Sequence, residues 1–342
     1  MRTILFCALM LIGLITAPTA SAQSNQLEES QKAVLVFDFR FDKLKSSEAA
    51  KALNIAEKIQ KVQSATGDMP NPDKVVRVFG AVSAPEDMSE IQGMRGGGPL
   101  PVEFFSRIEM EDAASLNEAF EKIMEKAEAV EMGGKTYYKP NQEKAPENFM
   151  ATKVNETTLE YGTTAYITRA DRKVFTDGLT TAWQKSPDDA VRLAIDLEGA
   201  SNLVDVAIEQ GKASGQPMLA PFLDMLSAAS DLRISMDFDG ENLLTIGTTG
   251  KTDSGAEDLE GGLNSLVGLG QVFGTGAIQG LKEQSEELGT MAEDTLKSLE
   301  AVRDGTSVTL AIPRPDGFAE ALKNMGTGAD LSPEAPLGPE GQ

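Results

Sequence analysis

Apolar and polar side chains alternate through VLVFDFRF at residues 34–41, so Leu35, Phe37, Phe39 and Phe41 share one face while the other runs from Val34 and Val36 to Asp38 and Arg40. A period of two predicts a strand with one face committed to a core. The period then changes: Leu53, Ala56, Ile59 and Val62 form a helical stripe over 46–63, opened by Ser46 or Ser47 and stopped by Thr66-Gly67-Asp68 and Pro70-Asn71-Pro72. Residues 75–82, rich in β-branched side chains, read as a second strand. A mobile glycine-rich loop is expected over 84–101 and a strand over 102–110. Glu111-Asp112 then caps a helix with Leu116, Phe120, Ile123, Met124 and Ala127 on its stripe, ended by Gly133-Gly134. After Tyr137-Tyr138, a hairpin over 158–168 around Gly162 and a helix over 169–185, carrying the single tryptophan Trp183, lead to the break at Ser186-Pro187-Asp188-Asp189.

Beyond that break the pattern restarts. Val191, Leu193, Ile195 and Leu197 share a face, and Asp196 stands between Ile195 and Leu197 as Asp38 stands between Phe37 and Phe39. A helical region follows over 201–230, interrupted near Gly215 to Pro217. Two apolar runs, 232–238 and 243–248, flank Asp239-Gly240, a strong hairpin signal. From Asp253 a helix carries Leu259, Leu263, Leu266 and Val267 at i, i+4, i+7 and i+8, residues 306–312 close the series as a strand, and a short helix covers 316–324. Each half, 33–186 and 187–324, thus reads strand, helix, strand, strand, helix, strand. That order predicts an α+β fold of two ferredoxin-like halves, largely antiparallel, with separate sheets or one shared sheet as the two arrangements open to it. Residues 325–342 hold glycine, proline and acids without a basic side chain and are expected to be disordered.

Composition narrows the chemistry. Among 342 residues there is no histidine, which removes Ser-His-Asp triads, Cys-His pairs and histidine-ligated metals. The single cysteine, Cys7, falls in a segment with Arg2 at its start, an apolar run from Ile4 to Ile15 and a small-x-small close at Ala20-Ser21-Ala22. This is the form of a signal peptide over 1–22, its apolar run too short for a membrane span. Export to a periplasmic, cell-surface or extracellular location is expected, with Gln23 opening a flexible leader over 23–32 and no transmembrane span left after cleavage. The mature chain would have neither thiol nor imidazole, and loses Arg2 but no acid, so 30 basic against 53 acidic side chains give −23. Such a charge disfavours nucleic acid and anionic membrane surfaces, because repulsion replaces counterion release.

No residue set rises to a catalytic, cofactor-binding or metal site. Gly274-Thr275-Gly276-Ala277-Ile278-Gln279-Gly280 imitates a dinucleotide fingerprint, but its third glycine falls one place late and the segment follows a helical stripe. Ser235, Asp237, Asp239 and Gly240 match positions 1, 3, 5 and 6 of a calcium loop whose twelfth position is Ile246 where a glutamate is needed. Tyr137, Tyr138, Tyr161 and Tyr166 could line a carbohydrate platform, and Asn155-Glu156-Thr157 is a glycosylation sequon. Asp38 and Asp196 are the least random acids; a half-buried sheet would place them on its solvated face. Residues 261–280 are uncharged and include seven glycines, which suits a buried helix or a contact surface.

The paired strands VLVFDF and VRLAIDL, the hairpin RISMDFDGENLLTIG and the closing DGTSVTLAIP resemble uncharacterised exported bacterial proteins built from two related α+β halves, over most of 33–324. Such proteins supply no catalytic set to transfer. The expected function is therefore an exported, non-enzymatic binding protein using its sheet faces or the cleft between halves. The alternatives are a carboxylate-dependent glycoside hydrolase, which needs no histidine, and an envelope-assembly component that makes contact through 261–280. Mass spectrometry of the exported chain should find Gln23 at its N-terminus; a chain retaining Met1 would contradict cleavage.

Overall fold

A single row of directly opposed residues crosses twelve strands: Ala301, Leu310, Ile246, Ile234, Leu193, Phe37, Gly80, Ser106, Tyr161, Ala151, Tyr138 and Ala129. All lie on one face, apolar apart from Ser106 and two phenols. The computed structural model describes residues 32–52, 72–83, 103–124, 127–140, 149–168, 175–205, 208 and 225–324. Within them the strands are β1 (Ala33–Arg40), β2 (Val75–Ser83), β3 (Glu103–Met110), β4 (Ala127–Met132), β5 (Lys135–Pro140), β6 (Phe149–Lys153), β7 (Thr158–Thr163), β8 (Val191–Asp196), β9 (Ala229–Met236), β10 (Asn242–Gly250), β11 (Ala301–Asp304) and β12 (Ser307–Pro313). They form one sheet in the order β11-β12-β10-β9-β8-β1-β2-β3-β7-β6-β5-β4, with every pair antiparallel. The fold is mixed α+β around a large antiparallel sheet.

The two halves meet at β1 and β8, where Phe37 faces Leu193 and Asp38 faces Arg192. A shared sheet is therefore found. The ferredoxin-like halves and a cleft between them do not carry over into the pairing. A split βαβ unit leaves a place for another strand between the two that its helix connects, whereas β1 pairs directly with β2 and β8 directly with β9. A strand inserted between β1 and β2 would also part Asp38 from Arg77, whose side chains bond across that seam.

Helices cover the apolar face in patches. α1 (Phe41–Ser46) and α2 (Glu48–Ala52) contribute Leu44, Ala49 and Ala50 to a core with Met236, Leu244, Leu288 and Leu322. α3 (Ala113–Met124) packs Leu116 and Phe120 against Ile108, Met110, Ala151 and Leu159. α6 (Asp253–Gln284) lays Ala256, Leu259, Leu263 and Val267 on Val308, Leu310 and Ala301. Past Val267 it runs beside α7 (Glu286–Ser298), and α8 (Phe318–Asn324) closes the end. On the opposite face, α4 (Thr164–Ile167) and α5 (Asp177–Lys185) bury Ile167, Leu179 and Ala182 against Val36, Ala81, Phe105 and Ala194. Among the described residues no helix is long and apolar enough to cross a membrane.

Several sequence expectations move. Phe41 starts α1 rather than extending β1. The helix expected through Ala127 stops at Met124; Gly133 and Gly134, at φ +58° and +73°, turn β4 into β5 instead of ending a helix. That left-handed backbone suits a tight hairpin and costs glycine little. Gly162 is interior to β7, where an added Cβ would lie 2.1 Å from the Phe104 carbonyl oxygen. The hairpin is β6–β7 instead, its turn held by the Thr157 N–H donating to Asn155 Oδ1 at 2.9 Å. α5 begins only at Asp177, because Thr176 caps it, accepting from the Leu179 N–H at 3.1 Å. α7 and β11 were not anticipated. The stripe at 53–62, the loop at 84–101, the break near 215–217, the 325–342 tail and residues 1–31 lie outside the described residues.

The uncharged 261–280 stretch is part of α6, and small residues let α7 approach it: a Cβ on Gly274 would sit 3.1 Å from Leu296 Cδ2. Lys282 and Lys297 both donate to Glu293 and hold its carboxyl down to about 2 from 4.5. A folded-state value below the ordinary one means that the contact contributes fully above about pH 4.5 and is lost as pH falls through about 2. A carboxyl NMR titration should place the Glu293 midpoint near 2. In a Lys282→Met, Lys297→Met variant it should return toward 4.5; a native midpoint already there would contradict the tether.

Candidate functional site: the charged face of the sheet

Next to the apolar row runs a second one on the other face: Thr245, Ser235, Arg192, Asp38, Phe79, Arg107, Glu160 and Thr152, directly opposed on β10, β9, β8, β1, β2, β3, β7 and β6. Charges alternate along it. Five of the eleven arginines, 40, 77, 107, 192 and 233, fall on this face by register. In so acidic a chain that concentration answers a local need, because Asp38 and Glu160 are 1% and 0% exposed. A buried carboxylate is tolerable only when paired and hydrogen-bonded.

Arg77 meets that need on Asp38 with two bonds, Nε to Oδ1 at 2.7 Å and Nη2 to Oδ2 at 2.8 Å. This bidentate bond raises the Arg77 guanidinium above its ordinary value, against the cost of partial burial. Arg107 Nε donates to Glu160 Oε2 at 2.6 Å. The two arginine side chains remain about a third exposed, at 32% and 37%. Arg40 bonds the exposed Asp42 through Nε and Nη2, both at 3.2 Å, and is raised by that bond.

Aromatic rings fill the gaps. Phe79 packs edge-on to Trp183 at 6.4 Å and tilted on Phe105 at 6.0 Å. The Arg192 guanidinium lies 3.8 Å from the Trp183 ring centroid, close enough for a cation–π contact.

Arg192 does more than stack. Its Nη2 donates to the carbonyls of Trp183 at 3.0 Å and Ser186 at 3.1 Å, placing a cation at the C-terminal end of α5. Four residues along β8, the Asp196 carboxylate lies against Gly178 in the first turn of the same helix and accepts from the Gly199 N–H at 2.8 Å. Four strand residues span about 13 Å and nine helix residues about the same. One strand therefore sets opposite charges at both ends of α5 with the signs its dipole favours. Neither Asp38 nor Asp196 lies on a solvated face, as the sequence suggested; both are buried, Asp196 at 4%. The close approach at Gly178 and Gly199, where a Cβ would lie 2.6 and 2.5 Å from Asp196 carboxylate oxygens, makes that burial possible.

Asp231 opposes Asp196 and is bonded by Arg233 Nε at 3.0 Å, itself buried flat over Gly247. These acids are thus committed to structure. Of the tyrosines, Tyr137 and Tyr166 are buried beneath the charged face and Tyr138 packs on Phe120 across the sheet, so they form no common platform. Tyr161 is also inward, and burial pushes its phenol up. Ser235 and Ile246 are strand residues, and Asp237 Oδ1 accepts from the Asp239 N–H within the β9–β10 turn, so turn geometry accounts for the calcium-like spacing.

Among the described residues, three buried polar atoms at the Arg192 end have no hydrogen-bond partner: Arg192 Nε, Ser186 Oγ and Ser235 Oγ. The sequence assigns none of them a binding role: Ser186 opens the break between halves, Ser235 enters only the calcium-like spacing, and Arg192 lies opposite the apolar face of VRLAIDL.

No family model matches this chain, and no curated protein does. Among solved structures, crystal form IV of TP0453 aligns at a TM-score of 0.38 and 10% identity, covering 87% of this chain and 94% of that one. Crystal form I of TP0453 aligns at 0.38 and 12% identity over 86% and 93%. Likeness at this level bears on neither ligand nor activity.

Breaking the Asp38–Arg77 pair should be asymmetric. Arg77→Ala strands a buried carboxylate and should cost about 3–5 kcal/mol. Asp38→Asn leaves a guanidinium that water can reach and should cost about 1–2 kcal/mol. Urea unfolding of the two variants measures the difference, and equal costs would contradict the burial asymmetry.

Proposed function

We propose that the chain is an exported, non-enzymatic binding protein that engages its partner through the charged face of its sheet. The observation that carries this reading is the residue set left reachable there: Arg77 and Arg107 with side chains about a third exposed, beside half-buried Phe79 and Trp183. Arginine and aromatic side chains held rigid by buried partners are what binding hot spots are made of, since little side-chain entropy remains to be lost. The carboxylate-dependent glycoside hydrolase draws no support from Asp38, Glu160, Asp196 or Asp231, which are at most 5% exposed.

The envelope-assembly reading has its own observation. On α6, Val272 is 68% and Leu269 37% exposed, in the stretch without charge. Among the described residues, no atom beyond the helix's own backbone lies within 4 Å of a Cβ added at Gly261, Gly268 or Gly276, so packing among them does not require glycine at these positions. Capture from envelope fractions separates the two. Arg40 on β1 and Glu109 on β3 stand directly opposite Arg77 on either side; an Arg40→Glu, Glu109→Lys charge swap there should abolish recovery of the partner, and Val272→Asp should leave it intact. The opposite result would overturn the sheet-face reading in favour of α6.

A further inference from the structure

The unpartnered atoms at the Arg192 end belong to residues grouped around Arg192. Arg192 and Ser235 are directly opposed on β8 and β9, and Ser186 follows the last turn of α5, whose carbonyls Arg192 already binds. Ser235 is 1% and Ser186 7% exposed. A buried polar atom without a partner costs roughly 1–3 kcal/mol, so three on Arg192 and two of its neighbours call for a common explanation. All three can donate to one acceptor. Arg192 Nε can only donate, and each serine hydroxyl can turn its hydrogen toward an acceptor.

The surrounding charges leave the guanidinium short of anion. Its Nη1 reaches Asp188 Oδ1 at 3.3 Å, but that carboxylate is 70% exposed and screened by water. Asp38, directly opposite, already gives both oxygens to Arg77. Burial accordingly holds the Arg192 guanidinium below its ordinary value, with Asp188 and Asp38 only partly offsetting it.

We infer that Arg192 Nε, Ser186 Oγ and Ser235 Oγ form a donor site for one small carboxylate group, bounded by the Trp183 ring. This rests on the reading of the charged face as a binding surface and names the ligand chemistry of one end of it. The carboxylate accepts the Nε–H and the two hydroxyl hydrogens, and enters beside residues 187–189, at the rim where Pro187 and Asp188 are exposed. A water could accept the Nε–H and donate to both hydroxyl oxygens; a carboxylate accepts all three hydrogens and also supplies the negative charge that the exposed Asp188 and the Arg77-bound Asp38 leave short.

The chain supplies its own reporter, since Trp183 is the single tryptophan and sits on Arg192. Formate titrated into the full mature chain, at ionic strength held constant with chloride, should change Trp183 fluorescence saturably. Ser235→Ala should raise the half-saturating formate concentration about tenfold, the loss of one hydrogen bond to a charged group, without altering the melting temperature by more than a few degrees. Ser186→Ala serves as a second variant should Ser235→Ala fold poorly. An absent or unsaturable response, or an unchanged half-saturation in both variants, would overturn the proposal. So would a crystal structure in formate showing only water on the three atoms. Formate binding that fails while the charge-swap variant still abolishes partner capture sinks this site alone; formate binding that persists while capture is unaffected sinks the binding-protein reading alone.

Discussion

A buried charge must find its counter-charge within reach, and this requirement organises the sheet. Asp38 and Glu160 have almost no exposure, so Arg77 and Arg107 have to lie on neighbouring strands in one particular register. A slip of one residue between β1 and β2 would turn Arg77 to the other face and leave Asp38 uncompensated. The same slip would put Phe79 or Ala81 in the place of Gly80 opposite Phe37, where even an added Cβ would meet the Phe37 ring at 2.3 Å. Register is thus specified twice, by charge on one face and by shape on the other.

β8 carries this logic to tertiary structure. Arg192 and Asp196 clamp the two ends of α5, and Leu193 and Ile195, pointing the other way, join the apolar face. α5 therefore sits where it does for electrostatic as well as hydrophobic reasons. Its position brings Trp183 onto Arg192 and buries Ser186 against the Arg192 guanidinium, so the candidate site is a by-product of how one helix is held. The acidity of the chain has little to do with this face, where arginines are gathered.

Legibility in the sequence followed signal strength. The strands at 34–40 and 191–196 and the helix from Asp253 were readable because their periods are unambiguous, and those at 75–82 and 103–110 from their strand-forming composition. β4 was lost because Ala127 also fits the stripe of α3, and its six residues become a strand only by pairing with β5 across Gly133-Gly134. β11, four residues long, has no pattern of its own and exists through its partner β12. Of the charged face, Asp38 and Asp196 stood out as acids among apolar residues, but their environment was misjudged, since alternation alone cannot say what covers the polar face of a sheet. Ser186 and Ser235 were visible only as a break and as part of a calcium-like spacing, neither of which points to Arg192.

The sequence by itself determined which side chains share a face, where backbone could turn, and that no imidazole or thiol chemistry belongs to the described fold. These are local properties, fixed by periods of two and 3.6 and by composition. Strand order, the union of both halves through β1 and β8, and the meeting of Arg192 with Ser186, Ser235 and Trp183 were decided only in three dimensions. Pairing energy depends on residues far apart in the chain, and a polar atom becomes costly, and so informative, only once folding has taken water away from it.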